Sequence, residues 1–171
     1  GDSSDWIEVY NGTDAPVNLD GWSLTDTPGE PRKWGFPPTL VPARSLVLVY
    51  ASEKDRALPA RELHTNFKLA GEGEYLALVR PDGTIACAYQ PAYPPQVANV
   101  AFGLSSPDVS SAPPGSPAFA ALLRYYTVPP PGYANGACTP AIGPLIATLN
   151  HTPAQPGDDE PLTITARLTA S

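Results

Sequence analysis

Proline is the residue that most constrains this chain. There are 23 prolines and 14 glycines in 171 residues, and no segment sustains a helical repeat across three turns. Proline ends helices and is tolerated in sheets only at edges and turns, so the composition selects short strands joined by many turns. This length holds one generous domain, or one domain and part of another. A domain of about 150 residues buries roughly 70% of its unfolded surface, enough for a self-sufficient core. No run of about 18 apolar residues occurs, so no membrane-spanning helix is expected.

Period-two alternation marks the strands. Residues 6–10, WIEVY, set Ile7 and Val9 against Trp6, Glu8 and Tyr10, and Asn11-Gly12 then suits a tight turn. Val17 and Leu19 alternate before Asp20-Gly21 turns into Trp22, Ser23 and Leu24. Trp34 and Phe36 resume the pattern until Pro37-Pro38 stops it. Residues 45–50, SLVLVY, are nearly all apolar and predict a strand covered on both faces. Residues 53–62 are charged and read as a loop or one helical turn. The clearest hairpin joins 74–79 to 84–89 through Arg80-Pro81-Asp82-Gly83, where proline pre-sets one turn angle and glycine supplies the positive one.

Further strands are expected at 97–102 and 122–127, with a flexible Ser/Pro/Ala/Gly-rich insertion near 105–117. Residues 1–136 thus form one domain, and 137–171 a linker followed by the first strands of a second, truncated β-domain. Its alternating segments, 145–149 and 162–168, cannot bury a core alone. Seven or eight short strands without a long helix predict an all-β sandwich in the first domain.

The net charge of −7 argues against a surface that tracks phosphates. Eight of the ten basic residues do fall between Arg32 and Arg80, but Glu53, Asp55, Glu62, Glu72 and Glu74 are interleaved with them. Cys87 and Cys138 match no metal-ligand spacing. A disulfide is one reading of the pair if the protein is exported, and two inert buried thiols is the other.

Four segments read in order resemble the bacterial form of the lamin tail domain. They are WIEVYNGTDAPVNLDGWSLTD at 6–26, KWGFP at 33–37, HTNFKLAGEGEYLALVRPDG at 64–83 and PAYPPQVANVAFGL at 91–104. RYYTVPPPGYANG at 124–136 is similar to the segment with which such domains often end. The resemblance implies an immunoglobulin-like β-sandwich from a large secreted or cell-surface bacterial protein. It also implies an apolar strand before WIEVY, a place that residues 1–5 do not fill. Residues 144–149, PLIATL, are expected to take that place, within the chain or by strand exchange in a homodimer.

Chemistry is sparsely supplied, and no residue is assigned a catalytic role. His64 and His151 are the only histidines. The first is expected to make a structural hydrogen bond to a loop and the second to sit in the opening turn of the second domain. No G-x-S-x-G elbow and no glycine-rich phosphate loop occurs, so no cofactor is implied. Asp158, Asp159 and Glu160 are weak calcium candidates, since hard oxygen ligands suit that ion. Asp20, Asp26 and Glu30 form a weaker set. The sequons at 11–13 and 150–152 read as turn residues.

Most of the aromatic residues are expected to be core or edge covers. Trp6 and Tyr10 are the binding candidates, because their strand phase opposes Ile7 and Val9. The expected function is non-catalytic binding, attachment or spacing, with a protein, matrix or glycan partner. Nucleic-acid association, which animal lamin tails would suggest, is a further alternative.

Overall fold

The alternation of WIEVY is realised in β1 (Asp5–Tyr10), which pairs antiparallel along its full length with β6 (Leu46–Ala51). The structure, a computed structural model, describes residues 4–105, 112–127, 131–133, 136–142, 145–152 and 163–169. It divides into two compact units, Gly1–Cys138 and Thr139–Ser171.

The first unit is an immunoglobulin-like β-sandwich. One sheet is ordered β1-β6-β7, where β7 (Leu63–His64) joins β6 in parallel. The facing sheet runs β4-β3-β8-β9, built from β3 (Ser23–Thr25), β4 (Trp34–Gly35), β8 (Leu76–Val79) and β9 (Ile85–Tyr89). A small pair, β2 (Val17–Asn18) with β5 (Leu40–Val41), lies beside them. Ile7, Val49 and Leu63 from the first sheet pack with Leu24, Trp34 and Leu76 from the second in one buried cluster. Val49 is 0% and Leu24 1% exposed, so each contributes about 1.5–3 kcal/mol of burial free energy.

The hairpin between β8 and β9 forms as its turn residues predict. Gly83 takes φ 87°, and the Asp82 carboxylate accepts hydrogen bonds from Thr84 N–H (2.9 Å) and Oγ1–H (2.7 Å). Asn11 is likewise a turn residue. Its Nδ2 donates to the carbonyls of Ala15, Val41 and Pro42 at 2.8–3.1 Å, while its Oδ1 accepts from Thr13. This buried amide ties β1's end to the segment after β5, which explains why the first sequon is structural.

A third sheet orders β10 (Ala101–Leu104), β11 (Leu123–Tyr126) and β12 (Cys138–Thr139). The strand expected at 97–102 therefore begins four residues later. Before it, Asn99 takes φ 62°, a left-handed conformation that interrupts an extended run. Part of the expected insertion, 106–111, lies outside the described residues. Its end, instead, forms one helical turn, α1 (Pro117–Ala120), capped by the Ser116 hydroxyl accepting from Phe119 N–H. Phe119 anchors that turn against Tyr89.

In the second unit, β13 (Leu145–Thr152) pairs antiparallel with β14 (Thr163–Thr169). Within the chain, residues 145–149 take β14 as partner, a nearby strand whose pairing closes a shorter loop. The pairing corrects two local readings: His151 and the second sequon lie in a strand rather than a turn.

Candidate binding face

The outer face of the β1-β6-β7 sheet is set by strand phase. Ile7 and Val9 turn toward the core, so Trp6, Glu8 and Tyr10 line the other side, opposite Tyr50, Leu48 and Leu46 of β6. Tyr10 is 44% exposed, and Trp6, Glu8, Leu46, Leu48 and Tyr50 are half-buried. The pairings Trp6↔Tyr50 and Tyr50↔His64 place three rings in a row across the sheet. The Tyr50 and His64 rings stack with centroids 5.1 Å apart and planes 25° apart.

Glu8 stands between Trp6 and Tyr10 and is already engaged. Its Oε1 accepts the Gly132 N–H at 2.8 Å, which fastens the 131–133 turn over this face. Burial raises the Glu8 carboxyl above its ordinary value, and the Gly132 bond offsets only part of that. Tyr133, beside the fastening point, is 71% exposed.

His64 is the closest approach to a catalytic group. Its Nδ1 lies 2.8 Å from Ser52 Oγ, a hydroxyl–imidazole pair that no sequence motif announced. The pair is built as structure. His64 is buried, stacked on Tyr50, and bonded through its backbone to Arg56 in both directions. The expected structural bond from His64 to a loop is therefore present, with Ser52 as its partner.

At one end of the sandwich an open groove of about 310 Å³ is lined by Asp26, Lys33, Glu53, Lys68 and Glu74 around Phe67. Its charges satisfy one another. Lys33 bridges Asp26 at 2.6 Å and lies over the Phe67 ring, and Lys68 bridges Glu53 at 2.7 Å. Glu74 accepts from Ala70 N–H and from the Tyr93 hydroxyl. With Arg44 also paired to Asp14, three of the clustered basic residues are matched locally by acids.

Both cysteines are free thiols in the structure. Cys87 is half-buried on β9, where burial pushes its thiol up to about 11, and Cys138 is exposed on β12. Asp158, Asp159 and Glu160 lie outside the described residues. Among the described residues, no group of three His, Cys, Asp or Glu is placed to hold a metal ion, and Asp26 is instead taken by Lys33.

The sandwich through β9 coincides with a family match. The Lamin Tail Domain model covers residues 1–92, more than half of the chain. The chain belongs to the lamin tail domain family. This is a family of immunoglobulin-like binding and structural domains rather than enzymes. The matched part of the lamin tail domain holds both Trp6 and Tyr10 and the whole charged groove. No curated protein and no solved structure matches the chain.

Proposed function

We propose that this lamin tail domain is a non-catalytic binding, attachment or spacing module of a larger bacterial protein, exported or held at the cell surface. The observation that carries the reading is the outer face of β1 and β6, where Trp6 and Tyr10 flank Glu8. Aromatic rings that are exposed or half-buried offer large apolar area and keep a polar edge for hydrogen bonding. The groove lacks that character, because its charged groups are paired internally.

A carbohydrate or matrix ligand is the second reading, favoured by a carboxylate set between two aromatic side chains. Such a site can stack a sugar ring and accept its hydroxyls. The test is a glycan and matrix-protein array probed with the labelled chain and with the Trp6→Ala/Tyr10→Ala double variant. Signal lost in the variant with an unchanged melt supports the reading. Equal signal from both proteins rejects this face as the binding surface.

A further inference from the structure

Glu8, clasped by Gly132, stands midway between the two aromatic residues of the outer face. Trp6 and Tyr10 share that face but are four residues apart on one strand. At a strand rise of about 3.4 Å per residue, their Cα atoms lie roughly 13 Å apart. That distance exceeds the width of one sugar ring, so a ligand touching both must be an extended chain. Beneath such a chain, β6 supplies Tyr50 opposite Trp6, Leu48 opposite Glu8 and Leu46 opposite Tyr10. Of these six residues only Glu8 carries a charge, and it sits at the centre.

The clasp adds a third ring. Pro131 and Gly132 have the residue types of the two central positions of a type II turn, and Gly132 takes the left-handed angle such a turn requires, φ 85°. The residue that follows is Tyr133, 71% exposed and one position from the bond to Glu8. One Glu8 oxygen accepts from Gly132, and the other has no partner among the described residues. That oxygen is an acceptor for hydroxyl groups, set between aromatic side chains. All these groups are side chains on the face of the sheet, so they serve whatever pairs with the edge of β1.

We infer that Tyr133 is a third ligand-contacting residue of this face, and that the ligand is a neutral oligosaccharide of straight, β-linked rings lying along β1. This rests on the outer face being the binding surface, and it adds a ligand class and a residue. Each aromatic side chain can stack on the apolar face of a sugar ring, while Glu8 accepts from a hydroxyl of the middle ring. Shape selects the linkage, because β-linked pyranose chains of the cellulose or chitin type run straight while coiled glucans do not. Charge selects neutrality, since Glu8 and a net charge of −7 oppose uronate or sulfate groups. A peptide strand laid on the same face would find no backbone partners there, because a sheet offers those only at its edges.

Titration calorimetry of the full chain with β-linked oligomers of glucose and of N-acetylglucosamine, monomer to pentamer, tests this. Binding is expected to be undetectable for the monomers and to strengthen at least about tenfold from dimer to tetramer, as the second aromatic contact is made. Tyr133→Ala should weaken tetramer binding about tenfold, the scale of one aromatic contact, and Tyr133→Phe should restore it. Should Tyr133→Ala lower the melt, tetramer-induced shifts of the Tyr133 ring in the unaltered chain decide instead. Equal binding of monomer and tetramer, or tetramer binding untouched by Tyr133→Ala, overturns the inference alone, provided Trp6→Ala/Tyr10→Ala abolishes binding. Binding that survives Trp6→Ala/Tyr10→Ala overturns both the inference and the outer face as the binding surface. No binding of any oligomer overturns the inference, and shifts at Trp6 and Tyr10 on adding an extended peptide would then mark the face as a protein-binding surface.

Discussion

Glu8 accepts a hydrogen bond from the backbone N–H of Gly132 across 124 positions of sequence, at 2.8 Å. That contact fastens the turn that follows β11 to the centre of the outer face, between the two aromatic residues proposed to bind. It also puts a carboxylate where burial opposes its charge.

The pH dependence follows from that burial. Glu8 binds its proton more tightly folded than unfolded, because its folded value is raised above the ordinary 4.5. The stability this supplies is complete below that ordinary value and is lost as pH rises through the raised one. Glu8→Gln keeps a carbonyl to accept from Gly132 and removes the titration. Its melting temperature should equal or exceed that of the parent at neutral pH, with the difference vanishing under acid conditions. A variant less stable than the parent at neutral pH would contradict this.

Asn11→Ala should be among the costly polar substitutions. It strips the donor from three carbonyls and the acceptor from Thr13, inside a buried turn. Leaving such groups unsatisfied costs about 1–3 kcal/mol each when water cannot reach them, so a loss near the upper end is expected in urea unfolding. A loss below about 0.5 kcal/mol, the scale of an ordinary surface change, would count against the turn's role.

Gly73 and Gly83 make a matched pair. Both have positive φ, at 90° and 87°, but a Cβ on Gly73 would collide with the Tyr93 carbonyl while one on Gly83 meets nothing within 4 Å. Gly83→Ala should cost only the backbone strain, about 1–2 kcal/mol. Gly73→Ala should cost clearly more and should disturb the Tyr93 hydroxyl bonds to Ala70 and Glu74. Equal losses from the two variants would show that the close approach at Gly73 is unimportant.

Much of this fold was legible in the sequence. WIEVY, SLVLVY and the RPDG hairpin formed within a residue or two of expectation, because alternation and turn chemistry are local properties. Trp6 and Tyr10 face outward for the same reason. The strand expected at 97–102 moved to Ala101–Leu104 because Asn99 adopts a left-handed conformation that its apolar neighbours do not reveal. The Glu8–Gly132 bond, the Ser52–His64 pair and the parallel docking of β7 all join separated segments, and no spacing rule marks them. The alternation of PLIATL signals a strand without naming its partner, and within its own unit β14 supplies one.

Thiol reactivity separates the two cysteines. With its thiol at about 11, Cys87 has on the order of one thiolate in a thousand at pH 8, and it is half-buried besides. Cys138 is exposed. Alkylation of the native chain should therefore modify Cys138 quickly and Cys87 only slowly or on unfolding. Equal rates, or a chain with no titratable thiol before reduction, would contradict the free and unequal pair.

The most direct test of the account is nuclear magnetic resonance mapping of the chain titrated with soluble oligosaccharides and peptidoglycan fragments. Perturbations are expected to centre on Trp6, Glu8, Tyr10, Leu48 and Tyr50, and to disappear in Trp6→Ala/Tyr10→Ala. Perturbations centred instead on Lys33, Glu53 and Lys68 in the charged groove, or unchanged in the double variant, would contradict a binding role for the outer face.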